Sequence, residues 1–139
     1  MTSDQTRIQG TCLCAAVSIS IAQPSPTISA CHCSICRNWT GGPFFSLETH
    51  ESPVIEGKEH VRSYASSEWA RRSFCAVCGT HLFYELKAGG FHAISAGLFK
   101  ESGQWPFELQ VFIDEKPDNY QFANPTRQMT GEEVVKLFS

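Results

Sequence analysis

The stretch FCAVCGTHLFY, running from Phe74 to Tyr84, decides how the rest of the chain is read. Cys75 and Cys78 form a C-x-x-C pair, and Gly79 directly after it suits the tight backbone of a metal knuckle. With Phe74 before the pair and His81 to Tyr84 after it, the segment reads as strand, knuckle, strand, as in zinc ribbons. A C-x-x-C pair also occurs in redox proteins, but that reading needs a βαβ setting, which this region lacks.

Working outward, the other cysteines are clustered too. The chain has 139 residues and seven cysteines, grouped as Cys12-x-Cys14, Cys31-x-Cys33-x-x-Cys36 and Cys75-x-x-Cys78. The odd count forbids complete disulfide pairing within one chain. The polar start MTSDQTRIQG is not expected to be a signal peptide, so a cytoplasmic chain with reduced thiols is expected. The spacings are those of metal ligands. Residues i and i+2 of a strand point to one face with Cα atoms about 6.6 Å apart. Two thiolates leaning inward from that spacing can share a metal at Zn–S distances of about 2.3 Å.

Ligand arithmetic separates two sites. A closed structural zinc takes four protein ligands, whereas a catalytic zinc usually keeps three and leaves one position open. Cys31, Cys33 and Cys36 can supply three ligands from one loop. Cys12 and Cys14 are left to join Cys75 and Cys78 in a complete site, a staple tying the first strand to the middle of the fold. Such a site supplies on the order of 10 kcal/mol of apparent folding free energy.

Composition fits one globular domain spanning residues 1–139, with 42% apolar and 18% charged residues and Phe, at ten copies, the main bulky core former. Eleven basic against fourteen acidic residues give a formal charge of −3 with no basic run, so nucleic acid is not an expected partner. No apolar run approaches the roughly 20 residues of a membrane span. The chain reads as mainly β. AVSISIA (Ala16–Ala22) alternates as a half-buried strand should, and further strands are expected at Thr27–Ala30, Phe44–Leu47, Val61–Tyr64, Arg72–Phe74, His81–Leu86, Phe91–Leu98 and Gln110–Asp114. Only the tail reads as helix: Thr130 and Glu133 form a T-x-x-E capping box ahead of Val134, Val135, Leu137 and Phe138.

The order C-x-C, C-x-C-x-x-C, F-C-x-x-C-G resembles that of the glutathione-dependent formaldehyde-activating enzyme family, to which centromere protein V belongs. The resemblance runs from GTCLC through ACHCSICRNWTGGPFFS and RRSFCAVCGTHLFY to VFIDEKPDNY. It implies a small zinc-stapled, mostly antiparallel β-tent, similar to a β-sandwich, with a structural zinc on Cys12, Cys14, Cys75 and Cys78. It implies a catalytic zinc on Cys31, Cys33 and Cys36, hence two zincs per chain. The implied activity joins glutathione to formaldehyde to give S-hydroxymethylglutathione, classified as a carbon–sulfur lyase. Many members carry a histidine and a tryptophan where this chain has Gln110 and Asn119-Tyr120.

The open site carries its own chemistry. A thiol entering the fourth position is expected to be held as the thiolate, the nucleophilic form, and to attack a small aldehyde. Candidate substrate residues are His32, Trp39, Thr40 and Gly41. The alternatives are a histidine turned away from the metal on its strand, and an ordinary turn leading into the Phe44-Phe45 strand. Arg71 and Arg72 could meet glutathione carboxylates or form a solvated strand face. His81 could replace a cysteine ligand, but four cysteines already fill that site, and His50, His60 and His92 read as surface or packing residues. Two other classes stay open: a non-catalytic zinc module binding a protein partner, and a redox or metal-handling protein using the exposed thiols.

Overall fold

A computed structural model describes residues 7–138. Its strands, in chain order, are β1 (Arg7–Thr11), β2 (Ser18–Ala22), β3 (Ile28–Cys31), β4 (Phe44–Thr49), β5 (Val54–Glu56), β6 (Val61–Ala65), β7 (Ala70–Cys75), β8 (His81–Leu86), β9 (His92–Ser95), β10 (Phe107–Val111) and β11 (Arg127–Met129). Two α-helices join them, α1 (Ser34–Thr40) and α2 (Gly131–Leu137). The mainly β expectation and the short C-terminal helix both hold.

The strands form two sheets. The small one runs β1-β2-β5, and the large one runs β11-β10-β3-β4-β9-β8-β7-β6. In β2 the period-2 pattern buries Ile19 and Ile21 while Ser18 and Ser20 sit half-exposed. These isoleucines meet Leu47, Leu82, Phe83, Ile94, Leu98 and Phe99 to make the main core. β1 lies close over this core because residue 10 is glycine: a Cβ there would stand 2.8 Å from Leu98 Cβ.

The antiparallel expectation holds for most pairings, but β10 runs parallel to both β3 and β11. β10 also ends earlier than expected. Phe112 adopts φ 55°, in the left-handed region, and a 3-10 turn at Ile113–Glu115 follows. A strand cannot continue through that conformation. The strand expected at Phe91–Leu98 likewise stops at Ser95, where Ala96–Leu98 turns as a 3-10 helix. The chain then returns to α2, whose N-terminus has the full capping box of Thr130 and Glu133.

Alternation across the large sheet gives it two different faces. Register pairs Ser73 with Phe83 and Phe83 with Ile94, all on the main core side. The neighbouring row, Arg72 opposite Tyr84 and Tyr84 opposite Ala93, points to the other face. A second cluster lies there, of Cys36, Phe44, Phe91 and Ala93 with Cys31, Cys33, Trp39, Tyr84 and Leu86. Among the described residues no helix is long and apolar enough to cross a membrane.

Candidate metal centres

The sulfurs of Cys12, Cys14, Cys75 and Cys78 all lie within 4.8 Å of one another. Cys12 and Cys14 Sγ are 3.7 Å apart, and Cys14 and Cys75 Sγ are 3.8 Å apart. Four sulfurs placed tetrahedrally about 2.3 Å from one centre would be roughly 3.8 Å apart. The donor set therefore fits a tetrahedral thiophilic cation. Local backbone explains the fit. After β1, the Ala15 N–H donates to Cys12 O and the Cys12 N–H to Val17 O, with Ala15 at φ 68°. After β7, the Gly79 N–H donates to Cys75 O with Gly79 at φ 81°, the tight turn its identity suggested. The Leu13 N–H donates to Thr80 Oγ1 at 3.2 Å and ties one knuckle to the other. The Thr80 hydroxyl, 3.1 Å from Cys78 Sγ, pulls that thiol down to about 5.

Cys31, Cys33 and Cys36 form the second group, with sulfurs again within 4.8 Å of one another. Among the described residues no further Cys, His, Asp or Glu donor joins either group at that spacing. Cys31 ends β3, Cys33 is the N-cap of α1 and Cys36 lies in its first turn. The Cys36 N–H donates to Cys33 Sγ at 3.3 Å, so helix capping itself turns this sulfur inward. Three thiols this close cannot ionise equally. Contacts from Cys31 and Cys36 hold Cys33 far below the usual thiol range, and the contact with Cys33 pushes Cys31 up.

α1 goes beyond both sequence readings of RNWTGGPFF, as a pocket segment or as an ordinary turn into the Phe44-Phe45 strand. The helix is seven residues long, and its cap is a cysteine rather than the usual Ser, Thr, Asp or Asn. The readable signal was Gly41, which closes the helix at φ 84° with its N–H on Arg37 O. Gly41 is exposed and acts as this cap. Thr40 Oγ1 donates toward Cys36 O and Gly42 O. Thr40 also lines a cleft of about 530 Å³ with Pro43, Phe44, Thr80, His81 and Leu98, between the exit of α1 and the C-x-x-C knuckle. Trp39 stacks on His81, with ring centroids 4.7 Å apart at 18°.

His32 is 0% exposed. Nε2 lies 2.8 Å from Gln110 Oε1 and Nδ1 lies 2.8 Å from the Tyr120 hydroxyl. Gln110 Nε2 donates in turn to Thr126 Oγ1. Gln110 Oε1 can only accept, so Nε2 carries the hydrogen and Nδ1 accepts from Tyr120 in the neutral ring. Burial lowers the His32 pKa and keeps it neutral. The ring is fully engaged with the segment behind the cysteines. That same segment braces the turn, since the Ser34 N–H donates to Glu115 Oε1, while within the turn Arg37 Nε donates to His32 O.

Arg72 departs most from expectation. It is 5% exposed, so neither a solvated strand face nor a hand for substrate carboxylates describes it. Its Nη1 donates to Cys36 Sγ at 3.3 Å and its Nε to Ser66 Oγ at 3.1 Å. Arg71, on the opposite parity, is half-exposed and pairs with Glu85 at 3.6 Å. Strand alternation from Ala70 was the one readable sign that Arg72 points inward.

A family model described as glutathione-dependent formaldehyde-activating enzyme matches residues 7–115. An uncharacterised lyase of the fission yeast Schizosaccharomyces pombe is 41% identical over 129 residues, covering 92% of this chain and 94% of the relative. A crystal structure of a Rhodobacter sphaeroides protein has a similar fold, with a TM-score of 0.56 at 20% identity, over 72% of this chain and 99% of that one.

Proposed function

The chain belongs to the glutathione-dependent formaldehyde-activating enzyme family, and from that premise we propose that it is a zinc-dependent carbon–sulfur lyase. It joins glutathione, or a similar small thiol, to formaldehyde or another small aldehyde, reversibly. The observation that carries this reading is the cysteine partition: one group of four sulfurs and one of three, the three borne on the outer face of the large sheet.

Cys12, Cys14, Cys75 and Cys78 would hold a structural zinc, and Cys31, Cys33 and Cys36 an open one. Bound there, zinc would lower the pKa of an incoming thiol, so that sulfur reacts as the thiolate. The chain's own residues then account for positioning. The cap of α1 sets Cys33, the Cys36 contact of Arg72 sets the third sulfur, and the His32–Gln110–Tyr120 chain keeps the turn from relaxing. His32 holds the tripod rather than the substrate, because both ring nitrogens are already used. Trp39, stacked on His81, and Thr40, which lines the adjoining cleft, support a reading in which these two residues border the substrates. The new bond joins the thiol sulfur to the aldehyde carbon, and the thiol hydrogen ends on the aldehyde oxygen. No oxidant or reductant enters the balance. Reduced thiols suit a cytoplasmic setting.

Native mass spectrometry with metal analysis, with and without glutathione, tests this reading. It predicts two zincs, one labile, and a glutathione adduct lost in Cys33→Ala. NMR exchange with formaldehyde then reads the rate of hemithioacetal formation. Two inert metals, no adduct and no acceleration would refute the enzyme. They would favour a non-catalytic zinc module that meets its partner through the knuckle tips, where Leu13 and Val77 are 90% and 61% exposed.

A further inference from the structure

We propose that Arg72 is the positioning residue of the three-cysteine centre: its guanidinium is the fixed counter-charge that lets the tripod hold a cation and still accept an external anionic sulfur. The inference rests on the metal reading of that tripod given above.

The geometry is that of a closed box. Arg72 leaves β7 on the face opposite the main core, and its register partner on β8 is Tyr84. The guanidinium carbon lies 5.0 Å from the centroid of Trp39 and 5.1 Å from that of Tyr84. Two aromatic rings therefore desolvate the cation while their π-faces partly offset its charge. Nε is used on Ser66 Oγ and Nη1 on Cys36 Sγ. Among the described residues no carboxylate forms an ion pair with Arg72. A cation buried this deeply without an anionic partner is very costly. The acceptor that meets it from the tripod is Cys36 Sγ, which would carry negative charge once a metal is held there.

The charge count explains why the centre needs it. Three thiolates around a divalent cation leave one net negative charge, and an entering thiolate adds a second. A guanidinium in hydrogen-bond contact with one of those sulfurs returns each state by one unit toward neutrality, in a low-dielectric setting where that matters most. The four-cysteine centre lies on the other side of the sheet and makes no contact of this kind with Arg72. It is therefore a built-in reference within the same chain.

The test uses the full chain with cobalt(II), whose thiolate charge-transfer and ligand-field bands report each centre as it fills. Wild type, Arg72→Lys and Arg72→Gln are titrated in competition with a chromophoric chelator. The first equivalent should fill the four-cysteine centre with the same affinity in all three. For the second equivalent, Arg72→Gln should weaken binding by roughly ten- to hundredfold, the size of a lost hydrogen bond to a charged group. Arg72→Lys should recover part of that loss, because it restores charge without the planar fork. Equal second affinities in wild type and Arg72→Gln would overturn the proposal. So would Arg72→Lys falling as far as Arg72→Gln, since shape rather than charge would then be at work. If Arg72→Gln also loses the first equivalent, Arg72→Met repeats the comparison with no buried amide left unpaired. A wild type that takes up only one equivalent refutes the open metal site itself, a different result from either.

Discussion

Removing one sulfur from each cysteine group tests the proposed division into a staple and a working site. Cys14 is exposed and Cys33 is half-buried, so Cys14→Ser and Cys33→Ser create little cavity. Serine also retains an N-cap acceptor at position 33, so the helix cap survives and the metal ligand alone is lost. The two substitutions should nonetheless differ. Cys14 and Cys75 are 61 residues apart in sequence, and bridging that loop restricts the unfolded chain by roughly 4 kcal/mol on the chain-entropy expression for a cross-link. The tripod spans only Cys31 to Cys36, for which the same expression gives roughly 2 kcal/mol. The long staple also joins the two sheets, whereas the tripod belongs to one face of one sheet. In the presence of zinc, Cys14→Ser should lower the melting temperature by roughly 10 to 20 °C, and Cys33→Ser by less than about 10 °C. Circular-dichroism melts at equal zinc concentration measure both. If Cys33→Ser melts at or below the temperature of Cys14→Ser, the division into a stapling and a dispensable metal is wrong.

Three other substitutions probe the supports of these centres. Ala15→Gly should stabilise by about 1 kcal/mol, since φ 68° strains an L side chain and suits glycine; urea denaturation checks this, and a loss would show that the first knuckle is unstrained. Gln110→Leu should destabilise by about 1 to 3 kcal/mol by stranding the His32 Nε2 hydrogen, while Tyr120→Phe should cost only about 1 kcal/mol; equal small losses would mean that His32 finds other partners. His92 supplies a pH dependence. Burial lowers its pKa, its Nδ1 has no partner, and Glu85 at 3.5 Å only partly compensates. The folded state thus binds its proton less readily than the unfolded state, so its stability contribution is complete above the unfolded pKa near 6.5 and is lost as pH falls below it. His92→Gln should flatten the slope of stability between pH 6.5 and 5 by at most about 1.4 kcal/mol per unit, and an unchanged slope would remove His92 as its source.

Much of the site was readable because metal ligation is written in local spacing. C-x-C, C-x-x-C and the Gly79 turn need only a strand or a knuckle to bring their sulfurs together, and the four-plus-three division followed from counting donors. The capping box at Thr130 and Glu133 was equally local. The alternation of β2 was visible because one of its faces is buried and the other is not. What escaped reading lacked such a pattern. α1 is too short to show a period, and β1, β5 and β11 are stabilised by their neighbours rather than by composition.

The amino-acid sequence by itself thus determined which residues can hold metals, how they divide, and the family to which the chain belongs. Only the tertiary structure decided what surrounds the tripod. Arg72 could be a surface cation on any isolated strand. It becomes a buried counter-charge because β7 pairs with β8 in the register that sets Tyr84 opposite it, and because α1 lays Trp39 across its other side. His32 could equally face water, until β10 and the loop after it bring Gln110 and Tyr120 to its two nitrogens from 78 and 88 residues away. Ligand spacing is a property of a few consecutive bonds. The charge and burial around the ligands depend on which distant strands are neighbours, and that is settled only when the whole sheet has formed.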